Sequence, residues 1–530
     1  MGDLELEWNL IHRVNVGDAL ARTAAAHPHQ EAIVDGARRF SYAELNGWVN
    51  RTAHGLLSHG YKRGDALALM AGNCAEFLVT YYACARIGVV VVPINLGWLE
   101  PETSYVLVHA KARGIVVETQ LLAKARAALA HAPGVRDIFV APGTEPETQL
   151  DPEFHIRFEA LHGSSQAPQV RVDDRDPITY LYTSGTTAAP KGVVGSHLAI
   201  HIEALTVAID IELRRKDRML CLMPMFHTSQ LNAFCTPAVT VGATMVLHRE
   251  FDAERALDAI SHERLTVLFA LPTMYRQLVE RQRQAPRVLK SLRLAVYAMT
   301  PMPDTELRAA IDAFDCDFAL MFGQTEMSPV ATFFRPEHQL SHIGAVGTPS
   351  MNVRVGIMAD DGTLLPPNST GEIVYRSPHV TERYLDDEVA SASAFRFGWF
   401  HSGDTGRLGS DGMLWFEDRS KDVIKSGGEN VASIEVEKQV YEVAPNVAQA
   451  VVIGLPHPHW IEAITVIAVA KPGTTIDPEA VITALKATLA PFKVPRAVIV
   501  VDALPMTSTG KVQKHVLRQR YAKHYDGSDR

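Results

Sequence analysis

Between Tyr180 and Val193 the chain reads Tyr-Leu-Tyr-Thr-Ser-Gly-Thr-Thr-Ala-Ala-Pro-Lys-Gly-Val. Hydroxyls from Thr183, Ser184, Thr186 and Thr187 surround Gly185, and Lys191 follows with a full positive charge. Small side chains let backbone N–H groups approach an anion closely. The hydroxyls add donors and the ammonium adds charge, a combination suited to holding phosphates. The loop departs from the G-x-x-x-x-G-K-[ST] pattern of P-loop nucleotidases, because Gly185 and Gly192 are spaced differently and Lys191 precedes its glycine. Gly-Thr-Thr alone would read as a polar surface turn; the whole run favours phosphate binding.

Other stretches carry chemistry less openly. The apolar run Ala319 to Phe322 delivers Gly323, Gln324, Thr325 and Glu326 in succession. Strand C-termini of open parallel sheets are where ligands gather, although a loop with a solvated glutamate is the plainer alternative. Asp404 lies between Gly403 and Gly406. Such a carboxylate can accept two hydroxyl hydrogen bonds, as a ribose presents them, or can simply mark a turn. His227, in Met223 to Thr228, sits on an apolar edge, where histidine is more often packed than catalytic. Asp418 to Asp422 is a charged run expected to be exposed, Lys425 to Asn430 a glycine turn, and Lys511 a single lysine on the polar loop Pro505 to Lys511.

Taken together, these stretches resemble the adenylate-forming superfamily of acyl-CoA ligases, peptide-synthetase adenylation domains and luciferases, in its acyl-CoA ligase branch. The resemblance rests on Tyr-Thr-Ser-Gly-Thr-Thr-x-x-Pro-Lys-Gly-Val, on Phe322-Gly-Gln-Thr-Glu326, on Ser402-Gly-Asp404 and on Thr509-Gly-Lys511, and spans residues 15 to 520. It implies that Thr183, Ser184, Gly185, Thr186, Thr187 and Lys191 hold ATP phosphates. It implies that Gly323, Gln324 and Thr325 contact the nucleotide, with Glu326 on magnesium. Asp404 and Arg419 would bind the ribose, Lys421 would be the pivot of a hinge, and Gly427, Gly428 and Glu429 would face the pantetheine of CoA. His227 would line or gate the carboxylate pocket, and Lys511 would be the adenylation lysine. Departures from the family pattern are Ala188 for glycine, Ala298-Met299-Thr300 for Gly-Gly-Ala, Ser402 for threonine, and Ile461 for glycine.

The elements that must position these residues follow from pattern. Ser41-Tyr-Ala-Glu44 is a capping box opening an amphipathic helix through Leu57. Strands are predicted at Ala66–Met70, Val89–Val92, Ile178–Tyr182, Leu265–Leu271, Gly371–Arg376, Ala448–Ile453 and Ile464–Ala470, and helices at Glu76–Ile87 and Pro478–Leu489. Strands alternating with helices imply parallel sheets covered by helices. The expected fold is α/β, a large N-terminal region with parallel sheets and a β-subdomain, then a small mobile α+β domain. The expected boundaries are 1–418, a hinge at 419–421, and 422–530.

Composition narrows the function classes. The 530 residues hold 51 Lys and Arg against 60 Asp and Glu, a formal net charge of −9, which disfavours nucleic acid as a partner. Five scattered cysteines lack metal-ligand spacing and fit reduced thiols in the cytoplasm. No signal peptide and no membrane-spanning run is read. The expected activity is ATP-dependent ligation of an apolar carboxylic acid to CoA through an acyl-AMP, with magnesium. An amino acid amine is the alternative acceptor, and a nucleotide-binding module that has lost catalysis is the third reading.

Overall fold

Ser41 accepts a hydrogen bond from the Glu44 N–H while the Glu44 side chain returns to the Ser41 N–H, so the helix Tyr42–Ser58 starts where the capping box predicts. The computed structural model describes residues 2–144, 151, 154–183, 190–298, 301–419, 422–426, 429–506 and 512–526. The chain forms two compact units, Met1–Val355 with Tyr375–Phe400, and Gly356–Val374 with His401–Arg530.

The first unit is built on two sheets. One has seven strands in the order Ile156–Arg157, Asp137–Ala141, Ala112–Glu118, Ala66–Met70, Val90–Pro93, Pro177–Thr183 and Lys191–Ser196. Its strands run parallel up to Pro177–Thr183, and only Lys191–Ser196 is added antiparallel. Ala66–Met70 and Val90–Pro93 are buried at every position, which is why they read as unbroken apolar runs rather than alternating ones. The other sheet has nine strands, with Asp317–Gly323, Leu294–Ala298, Val267–Phe269, Arg218–Cys221, Thr244–Leu247 and Glu31–Asp35 parallel in its middle. The strand expected over Leu265–Leu271 is shorter because Leu271, extended at ψ 157°, already caps the helix that Pro272 opens. The helix Ala75–Ile87 is buried along its whole length and ends on Gly88 in the left-handed conformation. No helix among the described residues is long and apolar enough to cross a membrane.

The second unit is richer in strands. Phe400–Leu408 pairs antiparallel with Leu414–Arg419 in a four-stranded sheet. A five-stranded sheet is centred on Val447–His457 and Ile461–Ala470, longer than the strands read from the sequence because each continues to a shared turn. One face packs on the helices Ser433–Val443 and Pro478–Leu485 through Val436, Val440, Val452, Val466 and Leu485. The latter helix stops short of the predicted Leu489, and Ala490 is extended before Pro491.

Asp418, which opens the charged run 418–422 expected as an exposed loop, departs from that reading. Asp418 is buried, and its carboxylate accepts from the Ser433 N–H at 2.6 Å and the Arg419 N–H at 2.7 Å. These bonds dock the start of the helix Ser433–Val443 on the strand Leu414–Arg419.

Ile461 opens its strand with φ at +67°, a conformation costly for a β-branched residue. The family pattern has glycine at this position, and the geometry gives the reason. The side chain is exposed, so removing it leaves no cavity. Relief of roughly 1–2 kcal/mol of backbone strain, less the extra unfolded-chain freedom of glycine, leaves a net gain of about 0.5–1 kcal/mol. Ile461→Gly is therefore expected to raise the denaturant midpoint of this unit, and an unchanged or lowered midpoint would refute the strain.

Candidate active site

In the first unit, Thr183 ends one strand and Lys191 begins the next, directly opposite each other in the antiparallel pair. The two ends of the predicted phosphate loop are thus held by backbone pairing, while Ser184, Gly185, Thr186, Thr187 and Ala188 lie outside the described residues. Gly323 ends the strand Asp317–Gly323, where a Cβ would collide with the Pro329 carbonyl. That close approach lets the chain double back, with the Gln324 N–H donating to the Pro329 carbonyl at 2.9 Å. Thr325–Met327 then form a single 3₁₀ turn that carries Thr325 and Glu326.

Glu326 is half-buried, and its Oε1 accepts a hydrogen bond from the Tyr384 phenol at 2.8 Å. The Lys191 ammonium lies 5.2 Å from the centroid of the same Tyr384 ring. Two predicted ligand-binding residues separated by more than a hundred positions therefore meet at one tyrosine. Among the described residues no cluster of three or more acidic, histidine or cysteine side chains could hold a metal. Glu326 is a lone carboxylate there, which suits a cation that takes most of its oxygens from phosphates and water, as Mg²⁺ does.

His227 caps the short helix Thr228–Gln230, beyond which Leu231–Cys235 widens into a π-helical turn. Its Nε2 is buried with no hydrogen-bond partner among the described residues. Burial pushes its pKa down to about 4, so the ring is neutral at pH 7. Met299 and Thr300, expected to reshape the acyl pocket, lie outside the described residues.

Several residues with no motif of their own support this site. Glu203, on the helix His197–Asp210, accepts from the Val330 N–H at 2.9 Å through Oε1. Its Oε2 stands 2.7 Å from His379 Nδ1, and both side chains are fully buried. Thr381 donates its N–H to the Glu326 carbonyl at 2.6 Å and its hydroxyl to the Val194 carbonyl at 2.7 Å. The Val330 bond to Glu203 fixes the chain four residues beyond Glu326, and the same buried carboxylate sits against His379.

In the second unit, Asp404 and Arg419 face each other across the antiparallel pair, with Arg419 Nε 3.1 Å from Asp404 Oδ1. Sequence reading gave each a separate ribose contact; the fold makes them partners of one another as well. Gly403 precedes them at φ +71°, a left-handed turn that a side chain would strain, and its N–H donates to Glu372 Oε1 at 3.1 Å. Glu429 is exposed at the start of the strand Glu429–Val431, opposite Ser426 in a hairpin. Lys421, Gly427, Gly428 and Lys511 lie outside the described residues.

The family model for AMP-binding enzymes matches residues 20–385, and the model for their C-terminal domain matches 435–511. The chain is 34% identical to an indoleacetate–CoA ligase of Aromatoleum aromaticum, over 96% of this chain and 99% of that one. It is 31% identical to the long-chain-fatty-acid–CoA ligase FadD13 of Mycobacterium tuberculosis, over 96% and 99% respectively. ATP-bound MatB from Rhodopseudomonas palustris superposes with a TM-score of 0.85 at 28% identity, covering 96% of this chain and all of that one (100%). The chain belongs to the AMP-binding enzymes, the adenylate-forming superfamily, in the acyl-CoA ligase branch.

Proposed function

We propose that this protein is an ATP-dependent carboxylic acid:CoA ligase acting on an apolar acid, fatty or cyclic. The observation that carries the reading is the meeting of Lys191 and Glu326 at Tyr384, in a chain related end to end to ligases of aromatic and fatty acids. The relatives support thiol rather than amine as acceptor. The free cysteines fit the reducing cytoplasm.

In the first half-reaction a carboxylate oxygen of the acid attacks the α-phosphorus of ATP. An O–P bond forms, the bond to pyrophosphate breaks, and acyl-AMP results. In the second, the CoA sulfur attacks the acyl carbon, the thiol proton is lost to solvent, and AMP leaves. No covalent intermediate with the protein is involved, so catalysis is positioning and charge stabilisation.

The chain's residues divide that work. The hydroxyl loop and Lys191 bind the β- and γ-phosphates and steady the departing pyrophosphate. Lys511 bridges carboxylate and phosphate oxygens during adenylation. Glu326 would hold magnesium, which would supply positive charge against the phosphates. Asp404 and Arg419 hold the ribose, and the neutral His227 borders the carboxylate pocket. Residues 422–530 turn about the hinge 419–421 between the half-reactions, replacing Lys511 with the CoA path past Gly427, Gly428 and Glu429.

A panel of fatty, arylalkyl and cyclic acids, assayed for ATP-dependent pyrophosphate release and for product mass with CoA or amino acids, tests this reading. A thioester with at least one acid is expected; amide products, or pyrophosphate release independent of acid, would reject it. Lys511→Ala should slow acyl-AMP formation by about 10²–10³-fold while leaving thioester formation from supplied acyl-AMP intact. Equal loss in both half-reactions would remove Lys511 from this role. Asp404→Asn should weaken nucleotide binding by roughly 1.5–3 kcal/mol, because a charged acceptor for the ribose is lost. Unaltered affinity, measured by calorimetry, would take the ribose away from Asp404.

A further inference from the structure

Residues 381–385 belong to none of the stretches singled out for chemistry, yet the backbone there ties two of them together. On one side the segment lies along the strand that leaves the phosphate loop. Val193 and Tyr384 form a bridge, the Leu385 N–H donates to the Gly192 carbonyl at 2.8 Å, and the Val194 N–H donates to the Arg383 carbonyl at 3.1 Å. On the other side the Thr381 N–H donates to the Glu326 carbonyl. The segment thus reaches both stretches, and the Tyr384 side chain contacts both Lys191 and Glu326.

Tyr384 touches both charges in different ways. Its phenol donates to one oxygen of Glu326, which fixes the carboxylate plane and leaves Oε2 clear of that bond. Its ring face lies under the Lys191 ammonium within cation–π range. A lysine stem is long and flexible, and an aromatic seat reduces the freedom lost when it binds phosphate. Lys191 and Glu326 each contact this one tyrosine, and no salt bridge between the two is found among the described residues.

We propose that Tyr384 is a positioning residue that keeps Lys191 and Glu326 apart and aims them at a metal-bound triphosphate. The proposal rests on the ligase reading above, and adds a residue which that reading does not use. Its two contacts separate chemically. The phenol acts on the metal side through Glu326, whereas the ring acts on the phosphate side through Lys191. A residue that merely packs would affect both sides equally.

The test uses the full-length protein, with binding of ATP in EDTA and of Mn²⁺–ATP followed by calorimetry. Tyr384→Phe keeps the ring and removes the phenol. It should weaken Mn²⁺–ATP about tenfold, the low end for losing a charge-assisted hydrogen bond, and leave metal-free ATP within twofold. Tyr384→Leu should weaken both forms, metal-free ATP severalfold. Added to Glu326→Gln, Tyr384→Phe should cause no further loss of Mn²⁺–ATP affinity, since its partner is already changed. Wild-type Mn²⁺–ATP affinity in Tyr384→Phe, equal loss of both ligand forms in that variant, or multiplying losses in the double variant would each overturn the proposal. If the wild-type protein binds neither form of ATP, the ligase reading falls and this inference with it. If wild type binds both and Tyr384→Phe behaves like it, only the inference falls.

Discussion

A loop proposed to hold phosphates works only if its ends are fixed, since a floppy loop would lose in ordering entropy what it gains in contacts. Here the ends are Thr183 and Lys191, locked opposite each other by an antiparallel strand added to the edge of a parallel sheet. Much of the site in the first unit leans on that added strand. Residues 381–385 lie along it, they carry Thr381 to the Glu326 carbonyl, and Tyr384 reaches the Glu326 side chain from there. Beneath, the buried Glu203 holds Val330 and contacts His379, fixing the chain beyond Glu326. The lysine and the glutamate are thus placed by backbone hydrogen bonds.

Burial decides which groups are charged. His227 is neutral at physiological pH because its ring is desolvated, so it carries no fixed charge. Glu326 is only half-buried, and its Oε1 accepts from the Tyr384 phenol. Asp404 is buried, but it is matched by Arg419 across the strand pair, which keeps the buried carboxylate affordable.

Features set by local chemistry were legible in the sequence. The capping box at Ser41, the buried strand Ala66–Met70 and the strand that leads into the hydroxyl run, Pro177–Thr183, all follow from residue type and spacing. The family could be read because its motifs are short and local. Tyr384 was not legible, since its role depends on strand edges distant in sequence, and a lone tyrosine carries no pattern. Asp418 was misread as solvated because charge runs usually are; only the fold brings the Ser433 N–H to it. Ile461 stood out as a departure, but its strain became visible only in the backbone angle.

An acyl-adenylate requires that the acid bond its own oxygen to the α-phosphorus of ATP. Feeding the protein a turnover-supporting acid labelled with ¹⁸O in its carboxyl group, with ATP and CoA, tests this directly by mass spectrometry of the AMP formed. The account predicts one ¹⁸O in the phosphate of AMP and one retained in the thioester carbonyl. Unlabelled AMP, or label appearing in inorganic phosphate instead, would contradict an acyl-adenylate and with it the reading of the whole site.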